Sequence, residues 1–118
     1  MVTQSYEGGC QCRAVRYKVE ADLDKLITCN CSRCRPLGML ISFVGEDAFE
    51  LQSGKEALTE YLFNRNQVHH LFCSTCGVQS FATGDAPGGG KMVAINARCL
   101  DGVDPTTLSP KAVDGASF

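Results

Sequence analysis

Seven of the eight cysteines in this 118-residue chain fall into three short clusters. The clusters are Cys10-Gln11-Cys12, Cys29-Asn30-Cys31-Ser32-Arg33-Cys34 and Cys73-Ser74-Thr75-Cys76-Gly77. Closely spaced cysteines supply thiolate ligands for metals such as Zn²⁺. The spacing therefore predicts two zinc ions bound by seven cysteines.

The third cluster has the pattern of a zinc knuckle, in which two cysteines three positions apart direct both sulfurs at one ion. Gly77 follows the second cysteine and allows the backbone a positive φ. In the first cluster, we expect Cys10 and Cys12 to project from the same face of an extended strand. Neither pair completes a tetrahedral site alone. Together they predict a closed site that fastens the first strand to a distant hairpin, with the ligands Cys10, Cys12, Cys73 and Cys76.

The middle cluster supplies three thiolates within six residues, from Cys29, Cys31 and Cys34. Structural zinc sites are normally closed, whereas three protein ligands and an open fourth position are typical of catalytic zinc. We therefore expect Cys29, Cys31 and Cys34 to form a second, catalytic site whose open position takes water or substrate.

A protein side chain is the alternative fourth ligand for this second site. Cys99 is the thiol left over, and its simpler interpretation is a small buried residue near a strand end. His69 and His70 are adjacent, so on a strand at most one of them can face a given site. The simpler interpretation of each is an ordinary surface or packing histidine.

Short segments rich in Val, Ile, Phe and Tyr, separated by Gly, Asp or Asn, predict the strands that position these clusters. The seven predicted strands are Ala14–Glu20, Met39–Val44, Phe49–Gly54, Leu58–Phe63, Val68–Phe72, Gln79–Thr83 and Met92–Asn96. A spacing of about ten residues is typical of an all-β sandwich or a barrel-like pair of sheets. We therefore expect an all-β fold.

Helical signals are weak, with one turn predicted at Asp22–Leu26 and another at Ser32–Leu37 that stops at Pro36. The Gly-rich segment Asp85–Gly90 predicts a flexible surface loop. After Leu100 the chain shows no clear period, so we expect it to wrap the sheet as extended chain. The length predicts a single domain over residues 1–118, with its core at about 5–115.

The composition limits the class of protein. The chain is 44% hydrophobic and 20% charged, with a formal net charge of −2. It has no apolar run near the roughly 20 residues of a membrane span, no basic stripe for phosphates and no visible secretory signal. We therefore expect a cytoplasmic protein that binds neither membranes nor nucleic acid. Cytosolic thiols stay reduced, which favours metal binding over the alternative of a secreted, disulfide-bonded chain.

The order C-x-C, C-x-C-x-x-C and C-x-x-C-G resembles the family of glutathione-dependent formaldehyde-activating (Gfa-like) enzymes and the related centromere protein V domain. Further matches are Gly8-Gly9-Cys10, Ala14-Val15-Arg16, Cys29-Asn30-Cys31-Ser32, Phe72-Cys73 and Asn96-Ala97-Arg98-Cys99-Leu100-Asp101-Gly102. The resemblance runs from about residue 5 to Asp114-Gly115. The chain is shorter than the enzyme that names the family, and Arg13 stands where many members carry Gly.

The resemblance implies an all-β fold of small antiparallel sheets arranged like a tent. It implies a structural zinc on Cys10, Cys12, Cys73 and Cys76. It also implies a second, more labile zinc, where the thiol of glutathione engages, on Cys29, Cys31 and Cys34. The activity that names the family is that of a carbon–sulfur lyase, written in reverse as addition of glutathione to formaldehyde to give S-(hydroxymethyl)glutathione.

These observations predict a zinc-dependent carbon–sulfur lyase-type enzyme. Its substrate would be an adduct of glutathione, or another small thiol, with formaldehyde or a related small carbonyl. Arg33 or Arg35 is a candidate for attracting a glutathione carboxylate, and Asn30 for hydrogen bonding to the cluster sulfurs. The alternatives are a non-catalytic zinc module for protein interaction and a redox sensor whose crowded thiolates oxidise when the metal is lost.

Overall fold

The computed structural model describes residues 3–62, 68–86 and 88–114. Within them the chain forms the strands β1 (Gln4–Gly9), β2 (Arg16–Ala21), β3 (Ile27–Cys29), β4 (Ile41–Gly45), β5 (Phe49–Ser53), β6 (Leu58–Tyr61), β7 (Val68–Cys73), β8 (Phe81–Asp85), β9 (Lys91–Asn96) and β10 (Lys111–Val113), and the helix α1 (Cys34–Leu37). Single 3₁₀ turns lie at Leu23–Lys25, Glu46–Ala48, Lys55–Ala57, Ala97–Cys99 and Pro105–Thr107. The predicted all-β fold is confirmed.

The strands form two sheets. The smaller sheet has the order β1-β2-β5, and the larger has the order β10-β3-β4-β9-β8-β7-β6. Neighbouring strands in the described residues are antiparallel, with the exception of β10, which pairs with β3 in parallel. Small antiparallel sheets were the expectation, and the parallel pair is the departure from it.

The seven predicted strands are all present, with ends that shift by up to two residues. Phe63, the last residue of one predicted strand, lies outside the described residues. The pattern does not predict β1, β3 or β10. The first is mostly polar, and the other two have three residues each, so none of them shows a hydrophobic alternation that can be read.

The helix α1 occupies the turn expected at Ser32–Leu37, but the prediction that Pro36 stops it is wrong. Pro36 is the third residue of α1, where backbone N–H groups have no partner within the helix and a missing N–H costs nothing. The helix ends instead at Gly38, which has a φ of 62°. The expected turn at Asp22–Leu26 is present as a 3₁₀ turn.

The segment Asp85–Gly90 connects β8 to β9, and Pro87 within it lies outside the described residues. The N–H of Ala86 donates to the carbonyl of Gly90 at 3.0 Å. After Leu100 the chain forms a 3₁₀ turn and then β10, so the predicted extended tail is correct only in part. Within the ranges given above, no helix combines the length and hydropathy that a membrane span requires.

Three aromatic rings join the two sheets. Tyr17 of β2 lies 5.1 Å from Phe49 of β5 and 5.8 Å from Phe81 of β8, measured between ring centroids. The Tyr17 side chain is fully buried, and its hydroxyl donates to the Ser80 carbonyl at 3.1 Å. Its burial raises the pKa of this phenol, so Tyr17 is neutral and serves as a donor.

The larger sheet carries a different apolar cluster on each face. Neighbouring strand residues point to opposite faces, and on β9 Ile95 packs in the main core between the sheets whereas Ala94 packs in a second cluster. Cys10 and Cys73 belong to the main core, and Cys34 belongs to the second cluster. The fold therefore places two groups of cysteines on opposite faces of one sheet.

Candidate metal centre

The first group of sulfur ligands is formed by Cys10, Cys12, Cys73 and Cys76, whose sulfur atoms all lie within 4.8 Å of one another. The Cys10 and Cys12 sulfurs are 3.6 Å apart, and the Cys12 and Cys73 sulfurs are 3.7 Å apart. A tetrahedron with Zn–S bonds of about 2.3 Å has edges of about 3.8 Å. The spacing of these sulfurs therefore fits one tetrahedral zinc ion.

The segment from Cys10 to Arg13 is a turn that follows β1, so the prediction of an extended strand through Cys12 is wrong. The Arg13 N–H donates to the Cys10 carbonyl at 3.2 Å, and the Cys10 N–H donates to the Val15 carbonyl at 3.1 Å. Arg13 has a φ of 70°, a left-handed conformation that no other non-glycine residue in the described ranges adopts. The two sulfurs thus converge through a tight reversal of the chain.

Two glycines allow the backbone to pass close to this turn. A Cβ on Gly9 would lie 1.9 Å from the Val15 carbonyl oxygen. A Cβ on Gly54, which has a φ of 90°, would lie 2.3 Å from the Ala14 carbonyl oxygen. Real side chains cannot occupy these positions, so both residues need to be glycine for the first cysteine pair to hold its place.

The second pair, Cys73 and Cys76, lies in the turn predicted to be a zinc knuckle. Cys73 ends β7, and its carbonyl accepts from the Gly77 N–H at 2.8 Å, while its own N–H donates to the Val78 carbonyl at 3.1 Å. Gly77 has a φ of 80°. The positive φ that the sequence predicts after Cys76 is therefore confirmed.

Backbone N–H groups prepare this group for ionisation. A hydrogen bond from the Cys76 backbone lowers the pKa of Cys73. Burial opposes ionisation of Cys76, but hydrogen bonds from the Cys12 and Val78 backbone outweigh it and lower the pKa of Cys76 to about 6. The Ala14 N–H favours the thiolate of Cys12, yet desolvation and the neighbouring sulfurs raise the pKa of Cys12 to about 11. A cation bound here would favour the thiolate form of all four sulfurs.

The second group consists of Cys29, Cys31 and Cys34, again with sulfur atoms within 4.8 Å of one another. Cys29 ends β3, and Cys34 begins α1. The Cys34 N–H donates to the Cys31 sulfur at 3.3 Å, and the Arg35 N–H donates to the Cys31 carbonyl at 3.0 Å. Three sulfurs brought together by one turn of chain suit a thiophilic metal and leave a tetrahedral position to another ligand.

The thiols of Cys31 and Cys34 differ in acidity. Burial raises the pKa of Cys31, but hydrogen bonds from the Cys34 and Arg33 backbone more than offset it and bring that pKa below its usual value. Burial, with the sulfurs of Cys31 and Cys29, raises the pKa of Cys34. Of these two thiols Cys31 is therefore the one with a lowered pKa, and it is half-buried whereas Cys34 is buried.

A surface cavity of about 520 Å³ opens beside this second group. Cys29 and Cys34 line it together with the guanidinium-bearing side chains of Arg35 and Arg98. Ala112 and Val113 of the parallel strand β10, together with Asp114, also line it, and Val113 pairs with Cys29. None of the four cysteines of the first group lines this cavity, and Cys10 and Cys73 are buried whereas Cys12 is exposed. The two groups thus differ in the number of sulfurs and in their position relative to the cavity.

The alternative fourth ligands are not part of either sulfur group in the ranges that the structure covers. The Cys99 thiol donates to the Gln79 carbonyl at 3.9 Å, and burial followed by the Cys10 and Cys76 charges raises its pKa to about 11. His69 Nδ1 pairs with Glu60 at 2.7 Å. The neighbouring His70 is on the opposite face of β7, as adjacent strand residues must be.

The predicted polar residues take three different positions. Arg35 lines the cavity, whereas the Arg33 guanidinium donates to Gln79 Oε1. Asn30 Nδ2 donates to Asp114 Oδ1 at 3.0 Å, and the Asn30 N–H donates to the Val113 carbonyl of β10 at 3.4 Å. Asn30 therefore ties the second group to the C-terminal strand.

Sequence reasoning overlooked two functional candidates, Arg98 and Gln79. Arg98 Nε donates to the Gly38 carbonyl at 2.8 Å, beside the cavity. It lies in the run Asn96–Gly102, which matches the resembled family, and that match is a signal that can find it. Gln79 has no such signal, because its contacts come from residues distant in the chain.

Comparisons with known proteins identify a similar structure and the family of this chain. A crystal structure of a Rhodobacter sphaeroides protein superimposes with a TM-score of 0.80 and 29% sequence identity, covering 90% of this chain and 97% of that one. The model of the family described as glutathione-dependent formaldehyde-activating enzyme matches residues 5–114. The chain therefore belongs to the glutathione-dependent formaldehyde-activating enzyme family.

Proposed function

We propose that this protein is a zinc-dependent carbon–sulfur lyase-type enzyme. It would act on the adduct of glutathione, or a similar small thiol, with formaldehyde or a related small carbonyl. The observation that carries the proposal is the three-sulfur group of Cys29, Cys31 and Cys34 beside an open cavity. The family description, which names both glutathione and formaldehyde, supports the choice of substrates.

The two sulfur groups would divide the metal chemistry between them. We assign one structural zinc to the four-sulfur group, because it is closed and lies against the main core. We assign a second, catalytic zinc to the three-sulfur group. A zinc ion bound there would lower the pKa of a substrate thiol and fix its sulfur.

The charges around the cavity match the charges of glutathione, which carries two carboxylates and one ammonium group at neutral pH. Arg35 and Arg98 would bind the carboxylates, and Asp114, which lines the same cavity, would bind the ammonium group. These contacts would direct the thiol toward Cys29 and Cys34, which line the same cavity.

The proposed reaction forms one bond and moves one proton. The substrate thiol loses its proton to water, the sulfur attacks the carbonyl carbon, and a carbon–sulfur bond forms as the carbonyl π bond breaks. The carbonyl oxygen then takes a proton from water, which gives the S-hydroxymethyl product from formaldehyde. The lyase direction reverses these steps, with the same side chains holding the glutathione portion.

The test measures zinc per chain by elemental analysis and glutathione affinity by titration calorimetry. We expect two zinc ions in the wild type, one in Cys31→Ala, and loss of glutathione binding in that variant. Cys99→Ala is the matched control, because Cys99 belongs to neither sulfur group, and it should keep both zinc ions and wild-type affinity. Equal glutathione binding by the wild type and Cys31→Ala would overturn the proposal.

A second comparison tests the charge match. Arg98→Ala should weaken glutathione binding about tenfold, since a charge-assisted hydrogen bond contributes about 1.5–3 kcal/mol. Lys55→Ala removes an exposed cation that lines a different cavity and should leave the affinity unchanged. Equal losses in the two variants would mean that general charge, rather than this cavity, attracts the peptide.

A further inference from the structure

Gln79 connects the two sulfur groups, through its backbone position after the knuckle and through its side chain to the loop of the three-sulfur group. Gln79 is 4% exposed and follows Cys76 of the four-sulfur group by three residues. Its Oε1 accepts hydrogen bonds from Arg33, at 3.2 Å from Nε and 2.8 Å from Nη2. Arg33 lies between Cys31 and Cys34, so this one amide oxygen holds the middle of the three-sulfur loop.

His70 determines which way this amide points. Gln79 Nε2 lies 3.2 Å from His70 Nδ1, and an amide nitrogen can only donate, so Nδ1 accepts. His70 is buried, and its burial together with the charge of Arg33 lowers its pKa, in agreement with a neutral ring. With Nε2 held by His70, Oε1 necessarily faces Arg33.

Two aromatic rings also contact the Arg33 guanidinium. The Arg33 guanidinium carbon lies 4.8 Å from the centroid of Tyr61 and 5.9 Å from that of Phe72. These cation–π contacts favour the position of the guanidinium between the rings, and the two hydrogen bonds to Gln79 fix its direction. Arg33 therefore holds the loop, and moving its guanidinium toward a glutathione carboxylate would break these contacts.

The backbone of Gln79 is itself anchored. Its carbonyl accepts from Asn96 Nδ2 at 3.1 Å, at the end of β9. The preceding residue, Val78, accepts from the N–H of Cys73 in the knuckle. The amide that holds Arg33 is thus positioned by β9 and by the knuckle.

We propose that Gln79 is the positioning residue of the three-sulfur site. Its amide, oriented by His70, clamps Arg33 and presets the loop of Cys31 and Cys34 for metal and thiol binding. The inference rests on the proposed function for the statement that this loop binds a metal. The clamp on the loop itself does not depend on that statement.

Cobalt(II) titration followed by thiolate charge-transfer absorption separates the two sites. Gln79→Leu should weaken cobalt binding at the three-sulfur site about tenfold, within the range usual for outer-shell partners, and leave the four-sulfur site unchanged. Gln79→Glu keeps an oxygen acceptor for Arg33, and its second carboxylate oxygen can accept from His70 once the ring carries its proton on Nδ1, so this variant should restore affinity to within about twofold. Gln52→Leu, at an exposed glutamine of β5, is the matched control and should behave as the wild type.

Arg33→Met removes the donor of the hydrogen bonds to Gln79 while keeping an apolar side chain. This variant replaces Gln79→Leu in the test if Gln79→Leu does not fold. It should weaken the same site about tenfold, and the double variant Arg33→Met/Gln79→Leu should be no weaker than either single variant. The proposal would be overturned if Gln79→Leu left cobalt affinity unchanged or weakened both sites equally. It would also be overturned if the losses of the two single variants added up in the double variant, or if Gln79→Glu failed to restore binding.

Amide hydrogen exchange measures the stability of the loop and does not require a metal ion at the three-sulfur site. The Arg35 and Gly38 N–H groups donate within the loop, to the carbonyls of Cys31 and Cys34 respectively. Gln79→Leu should speed their exchange about tenfold, and Gln52→Leu should not. If wild-type protein binds a single cobalt ion, the proposed function fails. The role of Gln79 in holding the loop is tested separately: faster exchange in Gln79→Leu supports it, and unchanged exchange overturns it.

Discussion

The sulfur atoms of Cys12 and Cys73 lie 3.7 Å apart, although 61 positions separate the two residues in the chain. A metal ion that shares both sulfurs joins the turn after β1 to the end of β7. A cross-link that closes a loop of about 60 residues stabilises a fold by about 4 kcal/mol through the entropy of the unfolded chain.

The first prediction follows from this cross-link. Cys12→Ala should lower the free energy of unfolding of the zinc-loaded protein by about 2–4 kcal/mol, measured by urea denaturation. Cys99→Ala, which removes a thiol outside both sulfur groups, should lower it by about 1 kcal/mol or less. Similar losses in the two variants would show that the four-sulfur group does not fasten the fold.

The second prediction concerns Gly54, whose Cβ position is 2.3 Å from the Ala14 carbonyl oxygen. Gly54→Ala should destabilise the fold by more than about 2 kcal/mol and weaken metal binding at the four-sulfur group, because it displaces the turn of Cys10 and Cys12. Gly102→Ala has a similar positive φ with open space around its Cβ, so it should cost about 1 kcal/mol. Thermal denaturation with parallel zinc analysis checks both effects, and equal behaviour would contradict the steric argument.

The third prediction concerns Arg13, with its φ of 70°. Glycine adopts this conformation without strain, so Arg13→Gly should be about 1 kcal/mol more stable than Arg13→Ala. Both variants lose the same charged side chain, and their difference therefore reports the backbone alone. Equal unfolding midpoints in urea would mean that the left-handed turn is not strained.

The fourth prediction is a dependence of stability on pH. Burial and the charge of Arg33 lower the pKa of His70 in the folded chain below its ordinary value of 6.5. Below about pH 6.5 the unfolded chain binds more protons at this residue, so acidification favours unfolding until the folded pKa is passed. Wild-type protein should lose more stability than His70→Asn between pH 7.5 and 5.5, measured by urea unfolding with zinc present. Parallel pH profiles of the two proteins would contradict this assignment.

Much of the architecture could be predicted because it depends on local patterns. Alternation and dense apolar runs indicate seven of the strands, and Gly77 marks the positive φ of the knuckle. The strand β10 shows no such pattern, since three residues pair in parallel with β3 only after the tail has returned across the sheet. A pairing between distant segments leaves no periodic trace in a short strand.

The turn at Cys12 shows a different limit. Alternation in a strand and reversal in a turn both bring two cysteines separated by one residue to the same side, so the spacing alone does not distinguish them. The signal for a turn was Arg13, at a position where many members of the resembled family carry Gly. A positive φ explains that preference, and it overrides the extended conformation expected for the segment.

The sulfur groups could be predicted and their supporting residues could not. Cysteine spacing is a local property, and the two groups that it indicates come together in the fold. Arg33 was one of two candidates, with Arg35, for attracting a substrate carboxylate, but Gln79, 46 positions away, accepts its hydrogen bonds. Partners of this kind depend on how distant segments meet, which no local pattern records.

The central claim is that two unequal metal sites exist, one closed by four sulfurs and one with three sulfurs and an exchangeable position. Cadmium-113 NMR of cadmium-substituted protein, recorded with and without glutathione, tests it most directly. We predict two signals, of which one is insensitive to glutathione and the other shifts with glutathione and is absent in Cys31→Ala. A single signal, or two signals that both ignore glutathione, would contradict the account.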